Sequence, residues 1–115
     1  MEKSKAQLLR IFIGENDKLG PIPVYEKIVI SAREHKLAGA TVYKGIMGFG
    51  GNSVIHTSKV LRLSEDLPLV IEIVDAEEKI NFFLPYLDEI LNKSNCGGLV
   101  TIEQATIVKH FTSNI

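Results

Sequence analysis

At 115 residues, 45% of them hydrophobic and 23% charged, the chain is sized and composed as one ordinary folded domain, expected to span residues 1–115. Thirteen basic against fourteen acidic residues leave a formal net charge of −1, which argues against bulk attachment to nucleic acid or to an anionic membrane surface. The single cysteine, Cys96, excludes an internal disulfide and any cysteine-rich zinc site; with no secretory signal and no run of about 18 apolar residues, a cytoplasmic protein without membrane insertion is the expectation.

Ala6 to Ile13 is β-branched and aromatic, ends at Gly14 and the polar turn Glu15–Lys18, and predicts a strand. Leu9, Ile11 and Ile13 would share one face, and Leu8, Arg10 and Phe12 the other. Pro21 and Pro23 punctuate a loop, after which Tyr25, Ile28, Val29 and Ala32 fall at helical spacing over residues 24–36, with Gly39 as the expected stop. A second strand is predicted over Ala40–Met47. It dissolves into the glycine-rich Gly48–Asn52, and residues 50–58 are expected to form an exposed, mobile loop. A third strand begins near Lys59, breaks at Ser64–Asp66 and resumes over Leu67–Asp75.

Asp75 followed by Glu78 has the spacing of a capping box, and Ile80, Phe83, Leu84, Leu87, Ile90 and Leu91 then form one apolar stripe. Pro85 interrupts that helix and predicts a kink. The run 99–111 supplies a last strand. The order strand–helix–strand–strand–helix–strand predicts an α+β, ferredoxin-like βαββαβ sandwich with both helices on one face of an antiparallel sheet. Apolar residues on both strand faces imply that a second subunit covers the other side.

Function has to come from sites rather than from the fold. His35, His56 and His110 match no metal-binding spacing, and no nucleophile motif is present, so no catalytic residue is assigned. The turn after the first strand lacks the arginine of acylphosphatases, and the strands lack the aromatic and basic pattern of an RNA-binding module. Two glycine clusters remain: G-x-x-G-F-G-G over residues 45–51, and Cys96–Gly97–Gly98–Leu99. Glycine lets backbone N–H groups approach a phosphate, and the same glycines also suit plain turns.

At these residues the chain resembles the PII-type signalling proteins, and in particular a small PII-like group with a shortened loop between strands two and three. Gly39–Ala40–Thr41–Val42 followed by Gly48–Phe49–Gly50 is similar to the segment entering the PII T-loop. Leu67–Val74, with its carboxylate Glu72, resembles the strand after that loop, and Gly97–Gly98 stand where PII has its phosphate-binding loop. The resemblance implies a homotrimer holding an adenine nucleotide (AMP, ADP or ATP) between subunits, and signalling to a protein partner rather than catalysis. It implies a site of Gly39, Ala40, Thr41, Gly48, Phe49, Gly50, Val74, Gly97, Gly98, Leu99 and Lys109. Thr41 and its neighbours would meet adenine, Gly48 and Gly50 would shape the loop base and Val74 would line the pocket; Gly97 and Gly98 would face phosphate, so that a bulky residue at Gly98 would block binding and spare the assembly. The chain departs from PII in having one more residue between Thr41 and Gly48. Leu99 replaces a lysine, Lys109 with His110 replaces paired basic residues, and the modified T-loop tip is missing. A metal-handling protein or small enzyme of the same trimeric topology, using His56 or His110, is the alternative.

Overall fold

A computed structural model describes residues 1–51, 55–57 and 66–113. In chain order the elements are β1 (Ser4–Gly14), β2 (Lys18–Leu19), β3 (Ile22–Pro23), α1 (Val24–Glu34), β4 (Thr41–Lys44), β5 (Met47–Gly48), β6 (His56–Thr57), β7 (Pro68–Asp75), α2 (Glu77–Ser94) and β8 (Leu99–Ile107). The main sheet has the order β4–β7–β1–β8 with every neighbour antiparallel, the ferredoxin-like α+β arrangement. Strand pleating divides β1 and β7 as the alternation predicts. Leu9, Ile11, Ile13, Leu69, Ile71 and Ile73 are buried on one face, against Val24, Ile28 and Ala32 of α1 and Ile80, Phe83, Leu87 and Ile90 of α2. Each large side chain so buried stabilises the fold by about 1.5–3 kcal/mol relative to exposure.

Several local expectations are corrected. Gly39 does not stop α1: Lys36 carries the left-handed backbone (φ 63°), and Leu37 N donates to Ala32 O at 3.1 Å while Lys36 N donates to Arg33 O at 3.0 Å. Those two bonds form a Schellman ending three residues before Gly39. The second strand is shorter than expected. It ends at Lys44: Gly45 N still donates to Pro68 O at 2.7 Å, but Pro68 has no N–H to carry the ladder on, and a Cβ at Gly45 or Gly48 would lie 2.9 or 3.1 Å from Pro68 Cγ, so the chain crosses Pro68 as bare backbone. The expected loop at 50–58 returns at His56–Thr57 to pair with Met47–Gly48. The rest of its centre, residues 52–54 and 58, and the strand expected at 59–63 lie outside the described residues. The last strand ends at Ile107, leaving Val108–Phe111 beyond the sheet. α2 continues through Pro85, which is exposed, so the Asn81 carbonyl it deprives of a donor is on the side of the helix that water serves.

Candidate functional site

The face of the sheet opposite the helices carries both apolar groups and a row of charge. Phe12 (37% exposed), Val74 (39%), Tyr43 (48%) and Leu99 (59%) stand on it partly open to solvent. Between them Arg10 Nε donates to Glu72 Oε2 at 2.8 Å, Arg10 Nη1 donates to Glu103 Oε1, and the Tyr43 hydroxyl donates to Glu72 Oε1. One polar row thus crosses all four strands. The hydrogen bond from Tyr43, then that from Arg10, holds the Glu72 carboxyl below its ordinary pKa, while the bond to Glu72 raises the Tyr43 hydroxyl. The Arg10 guanidinium is raised above its ordinary value, first by its bond to Glu72. The alternation of charge and hydrocarbon at even-numbered positions was visible in the sequence, but the partners of Arg10 become known only once Arg10 is paired opposite Glu72.

The residues singled out from the sequence are strung along this sheet, with Gly45, Gly48 and Gly98 at one end, Thr41 near its middle and Lys109 beyond the other end. Gly45, Gly48 and Gly98 gather where β7 begins and β8 starts: a Cβ on Gly98 would lie 2.3 Å from the Phe12 carbonyl oxygen. Phe49 (71% exposed) and Gly50 extend from the same end, and Leu99 lies opposite Phe12. Nearer the middle Thr41 pairs opposite Glu72, which itself faces Arg10 and lies two residues before Val74, and the Gly39–Ala40 segment leads into Thr41. The Ser4–Ile107 and Phe12–Leu99 pairs are eight residues apart along β8, about 27 Å at the usual strand rise. Lys109 is two residues farther on and reaches back at most about 7 Å, so its Cα is about 20 Å or more from Leu99. Its Nζ stands 5.0 Å from the centre of the Phe111 ring. Within one copy, Lys109 cannot share a phosphate with Gly97–Gly98.

The two glycines that precede β8 also differ. Gly97 has open space where a Cβ would go, so its backbone can be approached from outside. Gly98 lies against the Phe12 carbonyl, so a side chain there would press on the β1–β8 ladder as well as on anything bound beside it. Near the other end, a shallow cavity of about 260 Å³ lies between α1 and the Leu37–Ala40 loop, with Val29, Ala32 and Arg33 on its helix side. That is below the roughly 300–1,000 Å³ of ordinary ligand pockets.

Comparison with known proteins places this architecture. The family model DUF190, described as "Uncharacterized ACR, COG1993", matches residues 6–107. The chain belongs to the DUF190 family. It is 40% identical over 108 residues to a UPF0166 protein of Aquifex aeolicus, covering 94% of this chain and 98% of the relative. A UPF0166 protein of Methanocaldococcus jannaschii is 41% identical over 105 residues, covering 91% and 94%. Among solved structures, CPII from Thiomonas intermedia K12, a nitrogen regulatory PII-like protein bound to ADP, AMP and bicarbonate, is similar with a TM-score of 0.71. Sequence identity to it is 16%, covering 94% of this chain and 92% of CPII, so the likeness shows a shared PII-like fold.

In this DUF190 chain His35 belongs to the helix layer. Its ring stacks 3.8 Å from the centre of Tyr86, and its Nδ1 lies 2.7 Å from Ser31 O. Among the described residues no three His, Cys, Asp or Glu side chains gather as a metal site. The backbone of His56 lies in β6, its side chain is outside the described set, and His110 lies beyond β8. Cys96 is half-buried and its Sγ accepts from Ser94 Oγ at 3.2 Å. Among the described residues no helix is long and apolar enough to cross a membrane.

Proposed function

We propose that this protein is a regulatory module that forms a homotrimer about the open sheet face and binds an adenine nucleotide in the clefts between copies. The separation of the candidate groups carries this reading. The phosphate-facing glycines and Lys109 lie at opposite ends of one sheet, so a ligand touching both has to lie between two chains. The half-apolar face supplies a surface on which copies can meet, and its polar row limits the registers in which they do so. The PII-like CPII, which shares the fold, is known with ADP and AMP bound, which supports adenine nucleotide as the ligand class.

At the phosphate end the accessible backbone of Gly97 serves as anion donor, and the neighbouring Leu99 is apolar. Lys109 of an adjoining copy adds one cation, so AMP and ADP should bind about as well as ATP. Ile46, Met47, Phe49 and Ile55 are 57–75% exposed around the β5–β6 pair, an apolar surface suited to a protein partner that reads the nucleotide state. Protein refolded free of nucleotide should bind AMP or ADP with one site per chain in calorimetry and should not consume it. Absence of heat and of thermal shift with AMP, ADP and ATP at millimolar concentration would leave the fold without this function.

A further inference from the structure

Asp75 does something its sequence context does not predict. The Asp75–Glu78 spacing is that of a capping box, yet the N-cap of α2 is Ala76 and no side chain caps the helix. Asp75 is buried, 8% exposed as a residue, and burying a charge is costly unless strong hydrogen bonds compensate. Its Oδ1 accepts from Ala76 N at 2.7 Å, and its Oδ2 accepts from Ala38 N at 2.9 Å, 37 residues away in sequence. The acid that should open a helix is spent on fastening a loop.

The position of that loop gives the bond its meaning. Ala38 lies between the Schellman end of α1 at Leu37 and the start of β4 at Thr41. The intervening Gly39 has a negative φ and open space around it, and Ala38 and Gly39 are exposed, so little side-chain packing holds this stretch. Val74 immediately precedes Asp75, and Thr41 pairs opposite Glu72 on the same strand. Asp75 therefore ties together the two segments that carry Thr41 and Val74.

We propose that Asp75 is the positioning residue for the purine end of the nucleotide site, clamping the Ala38–Thr41 segment against the end of β7 so that base selectivity depends on it. This rests on the adenine-nucleotide reading. A charge-assisted bond to a backbone N–H holds a loop more firmly than a neutral one, and a hydrogen-bonding edge held in place discriminates between bases that present different donors and acceptors.

The test uses the full chain and measures AMP and GMP affinities for the wild type, Asp75→Asn and Asp75→Ser. Serine can still serve Ala76 N–H but is too short to reach Ala38. Both variants should weaken AMP about tenfold and GMP much less, lowering the AMP-to-GMP preference at least about threefold. Amide exchange at Ala38 should quicken while the amides of α2 stay protected. If neither variant folds, Ala38→Pro removes the donor and leaves the carboxylate, and should lower the same ratio. A purely structural role would weaken both nucleotides alike, so a preference within twofold of wild type in a folded variant overturns the proposal. Wild type that binds no adenine nucleotide overturns the nucleotide reading itself, and this inference with it.

Discussion

The two faces of the sheet are built from the same strands and obey different physics. On the helix side, Leu9, Ile11, Ile13, Leu69, Ile71 and Ile73 form an unbroken hydrocarbon layer closed by α1 and α2. On the other side, Leu8, Phe12, Val70 and Val74 alternate with Arg10, Glu72 and Glu103. A purely apolar face is stabilised by any well-fitting cover, whereas a face crossed by charge accepts only a cover that leaves those charges satisfied. The first face accounts for the stability of the subunit. The second fits only a cover that matches its charges.

That contrast can be broken from either side. The largest effect should come from Phe83→Ala, which empties a fully buried position and should destabilise the subunit by about 3–5 kcal/mol in denaturant unfolding. Gly98→Ala forces a Cβ against the Phe12 carbonyl and should cost about 1–3 kcal/mol, while Gly97→Ala should leave the melting temperature nearly unchanged. Phe12→Ala on the open face should cost the isolated subunit about 1 kcal/mol or less. Sedimentation should nevertheless show clearly weaker association, because aromatic anchors dominate interfaces.

The smallest effect concerns the polar row. The folded Glu72 carboxyl titrates below its ordinary value of about 4.3, so the stability it contributes is fully present above that value and is lost as pH falls through the lower folded one. Tyr43→Phe removes the first cause of that depression and should start the acid transition at a higher pH, which an acid-unfolding titration reads directly.

The helix-facing half of this contrast was legible in the sequence. Odd positions of β1 and β7, and the stripe from Ile80 to Leu91, declare their burial through period alone. The uncovered half was legible as a surplus of apolar residues, since Phe12 and Val74 have no helix left to meet. Long-range geometry was not legible. Gly39 looked like a helix stop because glycine favours left-handed backbone, yet Lys36 takes that conformation where two Schellman bonds hold it. Asp75 looked like a cap because the bond to Ala38 depends on a loop 37 residues away. The candidate residues could be named through family resemblance, but the distance between Lys109 and the Gly97–Gly98 pair needed the β1–β8 register.

On the proposed reading the open face is buried between copies and the nucleotide lies where they meet. Native mass spectrometry of the refolded, ligand-free protein titrated with AMP or ADP tests both parts at once. The expected result is a trimer that takes up as many as three nucleotides and that Phe12→Ala depletes. A chain that stays monomeric at micromolar concentration, or a monomer that binds nucleotide as tightly as any assembly, would contradict it.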